Sequence, residues 1–294
     1  MIRILGTIFA GLLGLAFGSF LNVCLSRWPE GESVVKPRSH CRHCSHTLAW
    51  WENVPLASWL VLRGRCRGCG AWIGWRYPLV EAAVGGLWAW QAWQYMGYQS
   101  LDILVFNLRS PSTLVSLIGW VVFQWLLVAL AVLDAENLWL PDWLTLPGIA
   151  LGSICTVLKT RRQMELSALS RPQLTSGVLD CLFAILAAAA LILLIRWVYW
   201  VVRHREGIGY GDAKLMALLA AWLGLPQALL AFAVGVVLGA LAAVVLLAVP
   251  AGRRGPESWA SSKLPLGTFL CVGGIVSCLW GQPIVAAYLR WGGF

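Results

Sequence analysis

The sequence predicts an all-α polytopic membrane protein, about eight transmembrane helices interrupted once by a small four-cysteine insert. Three observations carry this. Hydrophobic residues fill 59% of the 294 positions against 12% charged, and mean hydropathy is +0.73, a balance foreign to an ordinary soluble domain. Apolar runs suited to crossing a ~30 Å hydrocarbon core recur along the whole chain. Between the first two of them lies the only sizeable polar stretch, residues 28 to 77.

Within lipid only a helix or a closed barrel satisfies the backbone, so each run is read as a helix. The first, Ile2 to Cys24, follows a positive charge as a secretory signal does, but it is too long and lacks a small-residue cleavage site. It is therefore retained as a helix. The second, Leu79 to Met96, carries Glu81 near its start, where a polar contact across the bundle is expected. Thr113 to Leu133 follows, and then Leu144 to Leu158, one of two short runs. The polar residues from 159 to 176, with one proline, read as an exposed loop. Val178 to Val202, the short Lys214 to Leu225, Gln227 to Val249 and Leu266 to Leu289 complete the set.

Basic residues set the orientation. Arg27, Lys36, Arg38, Arg42, Arg63, Arg65, Arg67 and Arg76 crowd the first insert, and Arg196, Arg203, Arg205, Lys214, Arg253, Arg254 and Lys263 fall on the same side, 15 of the 22 basic residues in all. The positive-inside rule makes that side cytoplasmic, against the vote of Lys159, Arg161, Arg162 and Arg171. A net charge of +9 is then explained by anionic lipid headgroups, without nucleic acid. The 19 tryptophans, many at run ends such as Trp50, Trp143, Trp197, Trp200 and Trp291, read as interfacial anchors.

In the insert, Cys41 and Cys44, then Cys66 and Cys69, form two Cys-x2-Cys pairs 21 residues apart. Such spacing fits a four-thiolate zinc site, and a complete thiolate set makes the metal structural, with no open position for catalysis. Two disulfides or buried thiols are the alternative, disfavoured in a cytoplasmic loop. His40, His43 and His46 lie beside the first pair as solvated neighbours. Cys24, Cys155, Cys181, Cys271 and Cys278 lie unpaired in apolar runs and read as small core residues.

Acidic residues near the membrane are few. The segment LDAENLWLPD holds Asp134 and Asp142, and GYGDAKL holds Asp212. The topology puts Asp134 and Asp212 at similar depth on the cytoplasmic side, where they can meet. Two carboxylates sharing a site do not both ionise easily, so one holds a proton while the other acts as base on a water, the chemistry of aspartic peptide hydrolysis. Gly207, Gly209 and Gly211 allow close backbone approach or positive φ. The plainer alternatives are that Asp212 caps a helix with Lys214 neutralising it, and that Asp134 ends a helix. Asp142 reads as a cap on the next helix, and Glu136 as a solvated charge.

Taken together, GSFLNVCLSRWP, the CRHC and RCRGC segments with NVPLASWLVL between them, YPLVE, LDAENLWLPDWLTLP and GYGDAKLMALLAAWLG resemble, in order, the motifs of the bacterial type IV prepilin peptidases. The resemblance spans nearly the whole chain. It implies an inner-membrane aspartic endopeptidase that removes the basic leader of prepilins and pseudopilins after a Gly on the cytoplasmic side, and then N-methylates the new N-terminus with S-adenosylmethionine. Matching puts the catalytic aspartates on Asp134 and Asp212, with Gly209, Gly211, Lys214 and Asp142 in support. It puts the zinc thiolates on Cys41, Cys44, Cys66 and Cys69, and links Gly64 and Glu81 to methyl transfer. Arg42 stands where the family often has Pro, and Trp59 where Tyr is frequent. The chain then divides into a first helix (1–27), a zinc insert linked to methyl transfer (28–77) and a peptidase bundle (78–294). Glu136 and Asp142 are candidate contacts for the basic leader. The competing reading is a non-enzymatic zinc-ribbon scaffold of a pilus or secretion machine.

Overall fold

The computed structural model describes residues 1–97, 111–166, 174–204, 209–248 and 264–292. Eight long helices among them coincide with the eight apolar runs: α1 (Ile2–Arg27), α3 (Arg76–Gly97), α4 (Pro111–Asn137), α5 (Asp142–Leu166), α6 (Leu174–Arg203), α7 (Tyr210–Leu223), α8 (Leu225–Ala248) and α9 (Leu266–Trp291). The short α2 (Ala57–Val61) lies in the insert. No strand occurs among the described residues, only two isolated β-bridges.

Six of the eight, α1, α4, α5, α6, α8 and α9, are long and apolar enough to cross a membrane. The other two depart from the expectation for physical reasons. Helix α3 has the length but interrupts its apolar stretch with Glu81, Gln91 and Gln94. Helix α7 has 14 residues, roughly 21 Å of rise, too short for a bilayer core of ~30 Å. It is instead an internal helix: from Leu215 to Trp222 every residue is buried.

The chain forms two compact units, Met1–Ser110 and Pro111–Phe294. In the first, α1 packs on α3 through glycines. A Cβ at Gly14 would lie 2.9 Å from Gly85 Cα, and one at Gly18 would lie 2.8 Å from Glu81 Cα. Small residues let the two backbones approach, the usual device where lipid offers no hydrophobic drive. This unit takes in α3 with the insert, whereas the sequence reading begins the bundle at residue 78.

In the second unit α5, α6, α8 and α9 pack around α7, and α4 reaches it through side chains such as Phe123. Trp222 locks it at one end: its indole donates to the Gly148 carbonyl at 2.9 Å and its ring stacks on Phe123 at 5.0 Å. The stretch from 159, expected as a loop, proves helical as far as Leu166 and again from Leu174. Arg, Gln, Met, Glu and Leu are good helix formers, and no Gly or Pro intervenes before Pro172. The residues between those helices lie outside the described set. Cys24, Cys155, Cys181 and Cys271 are buried and free, as core residues should be.

Candidate active site and metal centre

Asp134 lies in the last turn of α4, 6% exposed. The first turn of α9 is aimed at it. The Thr268 backbone N–H donates to Asp134 Oδ2 at 2.6 Å, and the Thr268 hydroxyl lies 3.2 Å from the same oxygen and 2.9 Å from the Ala131 carbonyl. Gly267 makes the approach possible, because a Cβ there would meet Asp134 Cγ at 2.9 Å.

Asp212 is the third residue of α7 and 8% exposed. Its Oδ2 accepts the Gly209 N–H at 3.2 Å, closing the helix start on itself. The cap is therefore real, but it uses only one side of a buried carboxylate. The charge of Asp134 acts on Asp212. Fully buried Cys271, one turn beyond Thr268, lies in the field of both.

Leu140 is the wedge between the two segments. Its Cδ1 lies 3.2 Å from where a Cβ on Gly211 would sit and 3.1 Å from one on Gly267. The chain reaches this position by turning at Leu138, whose φ of 50° is left-handed and whose N–H donates to the Asp134 carbonyl at 2.9 Å. Close approach explains Gly211. Positive φ does not explain Gly209, which is extended at φ −79°, and Gly207 lies outside the described residues.

Lys214 does not neutralise Asp212. Its Nζ pairs with Asp142 Oδ1 at 2.5 Å on the exposed side. Asp142 accordingly is not a cap: it is the first residue of α5, and the Pro141 carbonyl accepts the first helical N–H groups, from Leu144 and Thr145. Glu136 is exposed, two residues beyond Asp134. Sequence reasoning missed Gly267, Thr268 and Leu140. The only signal was the Pro-Leu-Gly-Thr that opens the last apolar run, a glycine and a hydroxyl at a helix start.

The four insert cysteines place their sulfurs within 4.8 Å of one another, and Cys41–Cys69 and Cys44–Cys66 lie 3.9 Å apart. Tetrahedral zinc with Zn–S of ~2.3 Å needs sulfurs about 3.8 Å apart, so the group fits. Two matching knuckles build it. Cys41 N–H donates to the His46 carbonyl and Cys66 N–H to that of Ala71, while Ser45 and Gly70 take left-handed φ and bond back to Cys41 and Cys66. The Cys41 thiol is lowered to about 7. Desolvation opposes this, but backbone N–H groups of Cys44 and His43 and the neighbouring thiols outweigh it. His46 turns to Glu52 at 3.4 Å and His40 to the Arg38 carbonyl at 3.0 Å, so neither joins the cluster.

Glu81 reaches from α3 into the insert, where its Oε2 accepts the N–H of Leu56 at 2.8 Å; Leu56 is itself left-handed at φ 58°. The contact joins the helix pair to the insert rather than crossing the bundle. Gly64 has φ +67°, and a Cβ on it would meet Trp72 at 2.7 Å and Trp59 at 2.9 Å. Trp59 is fixed by donation to the Ile73 carbonyl at 3.0 Å, and Arg42 by Glu30 at 3.2 Å and the Ser26 carbonyl at 2.6 Å.

Two family models cover most of the chain: the bacterial peptidase A24 N-terminal domain matches residues 12–95, and the type IV leader peptidase family matches residues 121–244. Among curated relatives, a protein of Stutzerimonas stutzeri is 32% identical over 95% of this chain and 92% of its own length. One of Burkholderia pseudomallei is 35% identical over 97% and 88%, and one of Myxococcus xanthus is 35% identical over 88% and 68%. All three carry the name prepilin leader peptidase/N-methyltransferase. No solved structure matches the chain.

Proposed function

The chain belongs to the type IV leader peptidase family, and on that premise we propose that it cleaves the leader from prepilins or pseudopilins and then methylates the exposed N-terminus. The observation that carries the peptidase half is the convergence of Asp134 and Asp212, buried carboxylates from two helices, each held from one side by helix-start N–H groups.

A water between the two carboxylates attacks the scissile carbonyl. One carboxylate takes the water's proton, the other, protonated, gives its proton to the departing amine, and the pair ends with its proton inventory exchanged. Thr268 and Gly209 orient the carboxylates through the oxygens they hold, leaving the remaining oxygens for water and substrate. Gly211 and Gly267 keep Leu140 seated between the segments. Cleavage falls after a Gly, and Glu136 offers the basic leader an acidic contact.

The four thiolates of Cys41, Cys44, Cys66 and Cys69 hold a structural zinc ion that staples an insert with little core of its own. The methyl donor is S-adenosylmethionine, which when bound supplies an electrophilic methyl group. The division of labour follows the chain: residues 28–77 with Gly64 and Glu81 serve methylation, and the later bundle serves cleavage. The basic residues of the first insert support the cytoplasmic side of the inner membrane as the side that holds the insert and the aspartates.

Mass spectrometry of a model prepilin co-expressed with the parent protein, Asp134→Asn or Asp212→Asn tests the reading. The parent is expected to release a product that has lost its leader and gained one methyl group, and both variants to leave the precursor intact. Cleavage by either variant at the parental rate would instead favour a scaffold.

A further inference from the structure

The compact unit Met1–Ser110 encloses a cavity of about 550 Å³ between α1, α3 and the cysteine insert. This is within the size range of small-molecule sites. Its wall has an unusual polarity. Asn22 Oδ1 and Glu52 Oε1 are buried acceptors with no partner, on residues 2% and 6% exposed. Both residues line the cavity, with Glu30, Glu32 and Glu81 as further carboxylates and Trp59 and Trp72 as aromatic faces.

Each orphan's other polar atom is committed: Asn22 Nδ2 donates to the Tyr77 carbonyl at 2.9 Å, and Glu52 Oε2 accepts the Ala49 N–H at 2.7 Å. Both side chains are therefore fixed, and each keeps one acceptor atom unused. Buried acceptors left without a donor are rare and call for a ligand or water. Cations on the wall do not fill the role. Arg27 is bound to the carbonyls of Ser33 and Pro37, and Arg42 to Glu30 and Ser26; Arg67 lies over the Trp51 ring and acts on the Glu52 charge from there, but donates to neither orphan. What the cavity lacks is a donor-bearing, positively charged occupant; an anionic one would face the carboxylates of Glu30, Glu32, Glu52 and Glu81.

We propose that this cavity is the methyl-donor pocket, with Asn22, Glu52 and Glu81 receiving the donor groups and positive charge of S-adenosylmethionine and Trp59 walling its sulfonium side. A sulfonium over an indole face is favoured as other cations are. The assignment rests on the methyltransferase reading above and gives it a location. It also accounts for Gly64, which stands outside the lining: a Cβ there would collide with both Trp72 and Trp59 of the cavity wall.

The test uses the full-length, zinc-loaded protein in detergent micelles, irradiated with tritium-labelled S-adenosylmethionine and then mapped by peptide mass spectrometry. Label within residues 48–81 is expected, and label confined to residues 111–294 overturns the proposal while leaving methylation intact. If the parent protein neither takes label nor methylates a cleaved pilin peptide, the methyltransferase reading itself falls. Glu81→Gln keeps an acceptor for Leu56 N–H yet removes a charge, so it should weaken S-adenosylmethionine about tenfold. S-adenosylhomocysteine, which has no sulfonium, should be weakened much less. An equal loss for both ligands, or no loss for either, overturns the assignment of Glu81 to the cation.

Discussion

Gly267→Ala is the sharpest perturbation of the proposed peptidase site, because it adds one methyl group where the structure has no room for it. The new Cβ would stand 2.9 Å from both Cγ and Oδ2 of Asp134 and 3.1 Å from Leu140 Cδ1. Ordinary carbon contacts begin near ~3.5 Å, so the carboxylate must withdraw by roughly 0.6 Å or the first turn of α9 must lift. Either movement stretches the 2.6 Å bond from Thr268 N–H towards ~3.2 Å, the long limit of such bonds, and turns the carboxylate. A catalytic group displaced by ~1 Å costs on the order of 100-fold in rate, about 2.7 kcal/mol of barrier. Stability should change much less, since Gly→Ala within a helix gains about 0.5–1 kcal/mol that offsets part of the strain. The assay is kcat/KM for cleavage of a purified prepilin in micelles, alongside the Tm of the same samples. Gly86→Ala is the matched control: its Cβ meets nothing within 4 Å, and it should cleave like the parent. Cleavage by Gly267→Ala within threefold of the parent at unchanged Tm would refute the proposed geometry.

Three further outcomes follow from the same contacts. Gly64→Ala, at φ +67° and with two indoles under 3 Å from the new methyl, should lower the Tm of the zinc-loaded protein by the equivalent of ~1–3 kcal/mol and weaken S-adenosylmethionine binding, with cleavage retained. Zinc affinity, measured by chelator competition, should be higher at about pH 8 than at about pH 6, because metal binding requires thiolates. Within the cluster Cys41 is lowered while its neighbour Cys44 is pushed up to about 12, the backbone N–H of His46 being outweighed by desolvation and the adjoining thiols. Protons must therefore leave on binding throughout this window, and an affinity flat across it would contradict thiolate ligation. Lys214→Met breaks a pair whose side chains are 37% and 59% exposed, so Tm should reflect less than ~1 kcal/mol and cleavage should stay near parental. A hundredfold loss would put Lys214 in the chemistry.

The helices were legible because apolar composition and the demand for satisfied backbone in lipid leave little choice of structure. The cysteine pairs were legible for a related reason: thiolate spacing is itself geometry. What the sequence hid depends on contacts between distant segments. That Lys214 faces Asp142 instead of Asp212 turns on how α5 meets α7, which no local pattern encodes. Thr268 lies 134 residues from the carboxylate it holds, in a Gly-Thr pair that by itself looks like any helix start. Helix α7 misled by composition: an apolar run buried in protein has the same letters as one buried in lipid, and only its 14-residue length told them apart.

The placement of the two aspartates resolves a physical conflict in the proposed chemistry. A hydrolytic pair needs one carboxylate ionised as base beside another that holds a proton, within a bundle whose other residues disfavour charge. A lysine in contact would stabilise the anion but also blunt it as a base, and the motif's own lysine is drawn off to Asp142. Helix starts supply the alternative. Asp212 is the third residue of α7, and Asp134 accepts from Thr268, the third residue of α9. Unpaired N–H groups and the helix dipole give fixed partial positive charge without a titratable partner. The anion is thus supported by dipoles that do not move when the proton does. The requirement falls on backbone position, and this is why the site depends on glycines at 211 and 267, where close approach leaves no space for a side chain.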